Sequence, residues 1–366
     1  MWTLPKLRAN DRVVVRSKEE ILATLDENGA LEGMPFMPEM FQFCGRELTV
    51  GAVAHKTCDT AMRTGGRKLD QTVHLTGVRC SGRAHGGCDA DCLIFWKEDW
   101  LRAAAPAASV TAGAVADAPD SAQPDTDARR GAERALGPNG EQICSEDRVE
   151  QCARVHVTEG APPRYRCQAT ELFTASRPLP WWNIHQFVLD VVTGNVRLSE
   201  VARVLSLNSI YRLRWLPIGF RVWSALYEWL HRKVTGRAGP FVLGRIEPGE
   251  RTPVATRDFQ PGEMVRIRPA HEIATTLNRR NNNRGMWFGP ESVPYCGGTF
   301  RVRKRIHQIL NERTGEMLQL KTPCVNLEGV TCRGHYSDAR FFCPREITPY
   351  WREIWLERVG PDVDER

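Results

Sequence analysis

Gly33-Met34-Pro35-Phe36-Met37-Pro38-Glu39 and Gly285-Met286-Trp287-Phe288-Gly289-Pro290-Glu291 share five of their seven residues and lie 252 positions apart. The same spacing holds on both sides. Upstream, Val13, Arg16, Glu20, Ile21, Thr24 and Leu25 fall on Val265, Arg268, Glu272, Ile273, Thr276 and Leu277. Downstream, Cys44, His55, Val73, Leu75 and Cys80 fall on Cys296, His307, Val325, Leu327 and Cys332. The offset then becomes 255, and Trp96, Glu98, Trp100 and Leu101 fall on Trp351, Glu353, Trp355 and Leu356. A unit of about 95 residues therefore occurs twice, at 13–102 and 265–359, and that length suits a domain.

Each unit opens on a turn and an alternating strand, Asn10 to Arg16 and Gly262 to Arg268. A short helix over Glu19–Leu25 follows, with Ser17 as its cap and Glu20 three residues on. The quoted motif is a loop. Strands follow at Cys44–Val50 and Val73–Val78, with counterparts at Arg301–Arg305 and Val325–Val330. The Trp pairs four apart place a closing helix at Phe95–Leu101. Short strands with Gly turns and little helix predict an α+β chain of two duplicated, small, half-open SH3-like β-barrels.

The organisation reads as residues 1–102, the first SH3-like repeat; 103–142, a flexible Ala/Pro/Asp-rich linker; 143–240, a mainly helical, basic, Trp-rich domain; and 241–366, the second repeat. The linker holds too few large apolar side chains to offset its ordering entropy. In the helical region, Ile184–Val192, Leu198–Leu207 and Phe220–Val234 have helical spacing. The last is basic and amphipathic. It reads as a core helix with a solvated basic face, as a membrane-surface or partner-docking helix, or as a binder of nucleic-acid backbone. No nucleic-acid recognition module is present, and the net charge of +6 over 366 residues is modest.

The composition, 42 % apolar and 26 % charged, excludes collagen, a coiled coil and a wholly disordered chain. No stretch is apolar enough for a signal peptide or a membrane span, so a cytoplasmic location is expected. In a reducing compartment the 12 cysteines are expected as metal ligands or free thiols rather than disulfides.

The densest group is Cys80-x7-Cys88-x3-Cys92 with His85-Gly86-Gly87 inside it. With His55 and Cys58 it forms the first candidate metal set: Cys58, Cys80, Cys88, Cys92, His55 and His85. Thiolates and imidazoles suit Zn2+, and thiolates alone suit an iron–sulfur cluster or iron. Lys56, Arg79 and Arg83 would favour the thiolate forms. A second set is Cys296, His307, Cys332, His335 and Cys343, but Leu310 and Ile347 stand where the first unit has Cys58 and Cys92. Cys343 pairs with Cys88 at offset 255, or with Cys92 at 251. Roles for Cys44, Cys144, Cys152, Cys167 and Cys324 stay open. Trp96, Trp100, Trp351 and Trp355 are candidates for a partner-binding aromatic groove as well as for core. Phosphate-binding Gly loops, a Gly-x-Ser-x-Gly elbow and His-Glu-x-x-His are absent. A Cys58–His55 nucleophile pair stays open, and no catalytic residue is assigned.

Gly33–Met40, Phe43–Arg46, Leu75–Cys80, Cys88–Cys92 and Phe95–Leu101 resemble the motifs of an uncharacterised bacterial family of short, Cys-rich proteins associated with biosynthetic gene sets, including those for polysaccharides. The resemblance covers both units and implies a biosynthetic setting but no activity. Two functions are expected from it and from the residues. One is a metal-containing binding, scaffold or accessory protein that brings a protein partner or biosynthetic enzyme into place, with structural zinc holding small barrels. The other is a metalloenzyme, dependent on zinc, iron or an iron–sulfur cluster, that uses the Cys/His cluster of the first repeat.

Overall fold

The computed structural model of the chain describes residues 4–104, 144–155, 157, 159–212, 220–236, 239–337 and 340–360. The linker predicted over 103–142 lies outside the described residues, apart from its first two.

The first unit begins with β1 (Arg12–Val15) and α1 (Lys18–Leu22). The capping box expected at Ser17 forms: its hydroxyl accepts from the Glu20 N–H, and the Glu20 carboxylate accepts from the Ser17 N–H at 2.8 Å. A two-residue hairpin and a 3-10 turn (Pro38–Phe43) carry the quoted motif. Then come β2 (Glu47–Val53), β3 (Lys56–Asp59), β4 (Gly65–Lys68), β5 (Thr72–Arg79), β6 (Leu93–Lys97) and β7 (Leu101–Ala103). The middle segment supplies α2 (Glu146–Cys152), α3 (Gln168–Glu171), β8 (Arg177–Leu179), α4 (His185–Val192), α5 (Leu198–Arg212) and α6 (Phe220–Thr235). The second unit holds β9 (Met264–Ile267), α7 (Ala270–Ala274), a 3-10 turn at Pro290–Tyr295, β10 (Thr299–Leu310), β11 (Met317–Leu327), β12 (Trp351–Arg352) and β13 (Leu356–Arg358).

The architecture is mixed α and β with antiparallel sheets. The first five-stranded sheet has the order β6-β5-β2-β1-β7, and the second has β12-β11-β10-β9-β13. Their registers coincide. Arg12 pairs with Thr49 and Met264 with Arg301, each partner 252 residues further on. Val13 pairs with Ala103 and Val265 with Arg358, where the second step is 255. Even the bulge recurs, between Val50 and Ala52 and between Val302 and Lys304.

The Phe of the quoted motif explains its recurrence. Phe36 is clasped edge-on by Trp96 and Trp100, at 6.2 and 5.2 Å between ring centres. Phe288 is clasped by Trp351 and Trp355 at 5.9 and 5.2 Å. The second indole of each pair donates to a threonine, Trp100 to Thr24 at 3.1 Å and Trp355 to Thr276 at 2.9 Å. The four tryptophans, considered for a partner-binding groove, are at most 1 % exposed and belong to the two cores. The closing helix is also corrected. Phe95–Leu101 is strand, one 3-10 turn (Glu98–Trp100) and strand, and both rings turn inward because pairing with β5 and β1 fixes the backbone on either side of the turn.

The first unit departs from the second beyond the bulge. β10 and β11 continue as one long hairpin, whereas β3 and β4 turn away and form a three-stranded sheet with β8. The middle segment also divides. Cys144, Val149, Cys167 and Leu172 join the first core, and the buried Gln168 side chain bonds both the N–H and the carbonyl of Phe95 on β6, at 2.8 Å each. The expected helices appear as α4, α5 and α6. Trp223 and Tyr227 of α6 stack at 5.3 Å on its buried face, while Val222, Leu226 and Trp229 are exposed. Among the described residues, no helix is long and apolar enough to cross a membrane.

Candidate metal centre

The loop from β5 to β6 gathers the cysteines of the densest sequence cluster. The Cys80 N–H donates to the Cys92 carbonyl at 2.8 Å, which closes the loop at its neck. Within it, Gly82 has φ +72°, and a Cβ there would lie 2.0 Å from the Cys88 carbonyl oxygen. Only glycine permits that approach. The x7 and x3 spacings thus belong to a strand–loop–strand closure, which is why they match no finger pattern. The equivalent neck in the second unit is Cys332 N–H to Ile347 carbonyl, also 2.8 Å. Cys92 therefore corresponds to Ile347, and the 255 offset pairs Cys88 with Cys343.

A fourth thiol reaches the same place from the middle segment. Cys167 precedes α3, anchored where its N–H donates to Thr170 Oγ1 at 3.0 Å. Cys80, Cys88, Cys92 and Cys167 line one cavity of about 590 Å3. Its far wall comes from the second unit, including Ile309, Leu310, Glu312 and Tyr350. Among the described residues, the only ligand-type trio whose atoms all lie within 4.8 Å of one another is Glu39, Cys80 and His85. The four thiols are therefore spread around the cavity. A tetrahedral zinc with bonds of about 2.3 Å would need its sulfurs roughly 3.8 Å apart.

Burial sets the electrostatics. It pushes the Cys92 thiol up to about 12 and Cys167 up to about 11, and it raises Cys88. Cys80 is raised furthest, by burial and then by the Glu39 carboxylate, whose Oε1 accepts from the thiol at 2.9 Å. These thiols are protonated near neutrality and would lose their protons to a bound metal. The compensating cation is Arg345, 2 % exposed, with Nη2 2.6 Å from Glu312 and Nη1 2.8 Å from Thr60. Burial alone would weaken its hold on the proton, but Glu312 and the sulfurs of Cys58 and Cys92 outweigh that and raise it well above normal.

His85, also on the cavity wall, brings Nδ1 to 3.3 Å from Glu39 Oε1. His85 Nε2 and Glu39 Oε2 are buried without a hydrogen-bond partner. An unpartnered imidazole nitrogen on the wall that carries four thiols is a donor set suited to a ligand.

The sequence-derived ligand sets are redistributed. Cys80, Cys88, Cys92 and His85 come together. His55 points elsewhere, with Nε2 3.2 Å from the Gln186 carbonyl and 3.3 Å from Asp190, which also holds Lys56 at 2.5 Å. The two members of the considered Cys58–His55 pair are drawn to different partners: His55 Nε2 lies 3.3 Å from Asp190 of α4, while Cys58 is buried on β3 with its carbonyl accepting from Arg345 Nη1 at 3.4 Å. Of the second set, Cys332 and Cys343 lie near Cys58. Cys296 Sγ faces the Ser292 carbonyl at 3.9 Å, His307 is exposed on β10, and His335 pairs with Glu200 at 3.1 Å.

Cys167 and Glu39 were not assigned from sequence. Cys167 shares no spacing with its partners, since the middle segment must fold onto the first unit before it arrives. Glu39 did carry a signal: an acidic residue recurring as Glu291 inside a motif that is otherwise apolar, Gly and Pro. A scan against protein-family models and searches of curated proteins and of solved structures find no match to the chain.

Proposed function

We propose that the chain is an iron–sulfur protein, with a cluster held by Cys80, Cys88, Cys92 and Cys167 and used for chemistry on a small molecule admitted beside it. The observation that carries this reading is the distribution of four thiols around a single cavity of about 590 Å3. Cluster ligands stand around a body of several atoms, whereas the ligands of one zinc converge on a point. Desolvated thiols with a buried guanidinium nearby suit an anionic thiolate cluster. His85, on the cavity wall, would handle a proton or orient the bound molecule, with Glu39 behind it against Nδ1. A metalloenzyme or redox accessory is thereby favoured over a scaffold held by structural zinc. The resemblance to short bacterial proteins of biosynthetic gene sets would place that chemistry in a cytoplasmic biosynthetic pathway, acting with a protein partner of that pathway. The two sheet units are read as half-open SH3-like barrels that frame the site.

One observation favours a second reading. Glu39, Cys80 and His85 lie within 4.8 Å of one another, close enough for one Zn2+. Protein purified without oxygen separates the two. Iron and sulfide with a brown colour, lost in Cys167→Ser, support the cluster. Zinc with no colour, lost in His85→Ala but kept in Cys167→Ser, supports the alternative.

A further inference from the structure

The charged side chains that line the cavity do not balance. Besides His85 there are four: Arg63, Asp91, Glu312 and Arg345. Asp91 is held by Arg303 Nε at 2.9 Å, and Glu312 by Arg345 Nη2 at 2.6 Å. Both acids and one of the two cations are therefore committed. Arg63 makes no ion pair or hydrogen bond among the described residues. Its side chain is exposed, so it stands at the mouth of the cavity, whereas Cys88 and Cys167 are buried in its wall.

The loop between β3 and β4 holds this arginine in place. The Asp59 carboxylate accepts from the N–H of Met62 at 2.8 Å and from that of Thr64 at 3.1 Å. Between these two anchors Arg63 takes φ +56°, a left-handed conformation that costs energy for a long side chain. In the second unit the counterpart position, 252 residues on, is Gly315 at φ +71°, where the same conformation is free of strain. A second donor is also particular to one unit. Tyr350 stands 255 residues after Phe95, both rings line the cavity, and the Tyr350 hydroxyl makes no hydrogen bond among the described residues. The uncommitted groups thus include a cation and a hydroxyl but no carboxylate, and Leu93, Ile309 and Ile347 add an apolar wall.

We propose that the molecule admitted to the cavity is a small monocarboxylate with an uncharged, apolar body, its carboxylate paired with Arg63 at the mouth. This rests on the reading of the cavity as a small-molecule site and names the class that enters. One uncommitted guanidinium matches one carboxylate in charge and in the geometry of its fork. A phosphate dianion would call for a second free cation. Pairing at the mouth keeps the negative charge on the solvent side, away from the thiols, and lays the apolar body against Leu93, Ile309 and Ile347 with its uncharged end toward the sulfurs. Arg63 is a specificity-determining residue in this arrangement and takes no part in holding metal.

Equilibrium dialysis of butanoate, hexanoate and octanoate against the full chain purified anaerobically tests this, with iron and sulfide counted in the same samples. Saturable binding of at least one acid is expected, weakened about tenfold or more in Arg63→Gln and largely restored in Arg63→Lys. Octan-1-ol, which has the body without the charge, should not displace the acid, and the metal load of Arg63→Gln should equal that of the wild type. No saturable binding of any of the three, equal binding in Arg63→Gln, displacement by octan-1-ol, or tighter binding of octyl phosphate overturns the proposal. Binding that needs Arg63 in protein without iron removes the cluster and leaves the carboxylate site. Iron and sulfide without binding remove this site and leave the cluster.

Discussion

His74 and Arg345 show what single side chains contribute. His74 on β5 is 1 % exposed, its Nδ1 2.9 Å from the Ile94 carbonyl. Burial depresses its pKa from 6.5 to about 4. Above pH 6.5 it is neutral folded and unfolded and contributes no pH dependence. Between 6.5 and 4 the unfolded chain takes a proton that the fold refuses, so stability falls, by about 3 kcal/mol once the lower value is passed. Asn326 occupies the counterpart position in the second unit, also fully buried. His74→Asn should therefore flatten the fall of the denaturant midpoint between pH 6.5 and 4, and an unchanged slope would remove His74 as its source. Arg345 makes the opposite case. Arg345→Met removes the buried partner of Glu312, whose own side chain is 24 % exposed and keeps its bond from Thr60, so it should cost about 1–3 kcal/mol in urea unfolding. A loss under 1 kcal/mol would mean that water reaches the pair.

At the scale of elements, the sequence was most legible where backbone and side chain agree. Ser17 and Glu20 announced α1, and alternating apolar residues announced β1 and β9. The i, i+4 tryptophans misled, because a strand broken by one 3-10 turn also returns two rings to one side. Propensity alone does not separate that case from a helix; the pairing of β6 with β5 and of β7 with β1 decides it. The Cys loop depends on Gly82 as much as on its thiols. Gly82→Ala would drive a Cβ into the Cys88 carbonyl and should open the neck. The expected outcome is loss of most bound metal with the far-ultraviolet spectrum of the two sheets retained. Retention of the full load would show that the loop tolerates the displacement.

At the scale of the whole molecule, the duplication was legible because it is written in residue identity, and the shared registers and bulge follow it. What remained hidden was everything made by folding one segment onto another. Cys167 joins the cavity only because Cys144, Val149 and Leu172 bury the middle segment against the first core. Cys58 is kept out of the cavity lining where β3 and β4 diverge from the path that β10 and β11 follow. Ligand sets drawn within one unit therefore included Cys58, which does not line the cavity, and omitted Cys167, which does. Four cysteines from two segments are proposed to hold one cluster in the cavity they line. Iron and acid-labile sulfide in anaerobically purified wild type and Cys167→Ser measure it most directly. Iron with matching sulfide is expected in the wild type, and loss of that increment in the variant, with folding retained. A colourless wild type without sulfide, or an unchanged cluster in Cys167→Ser, would contradict it.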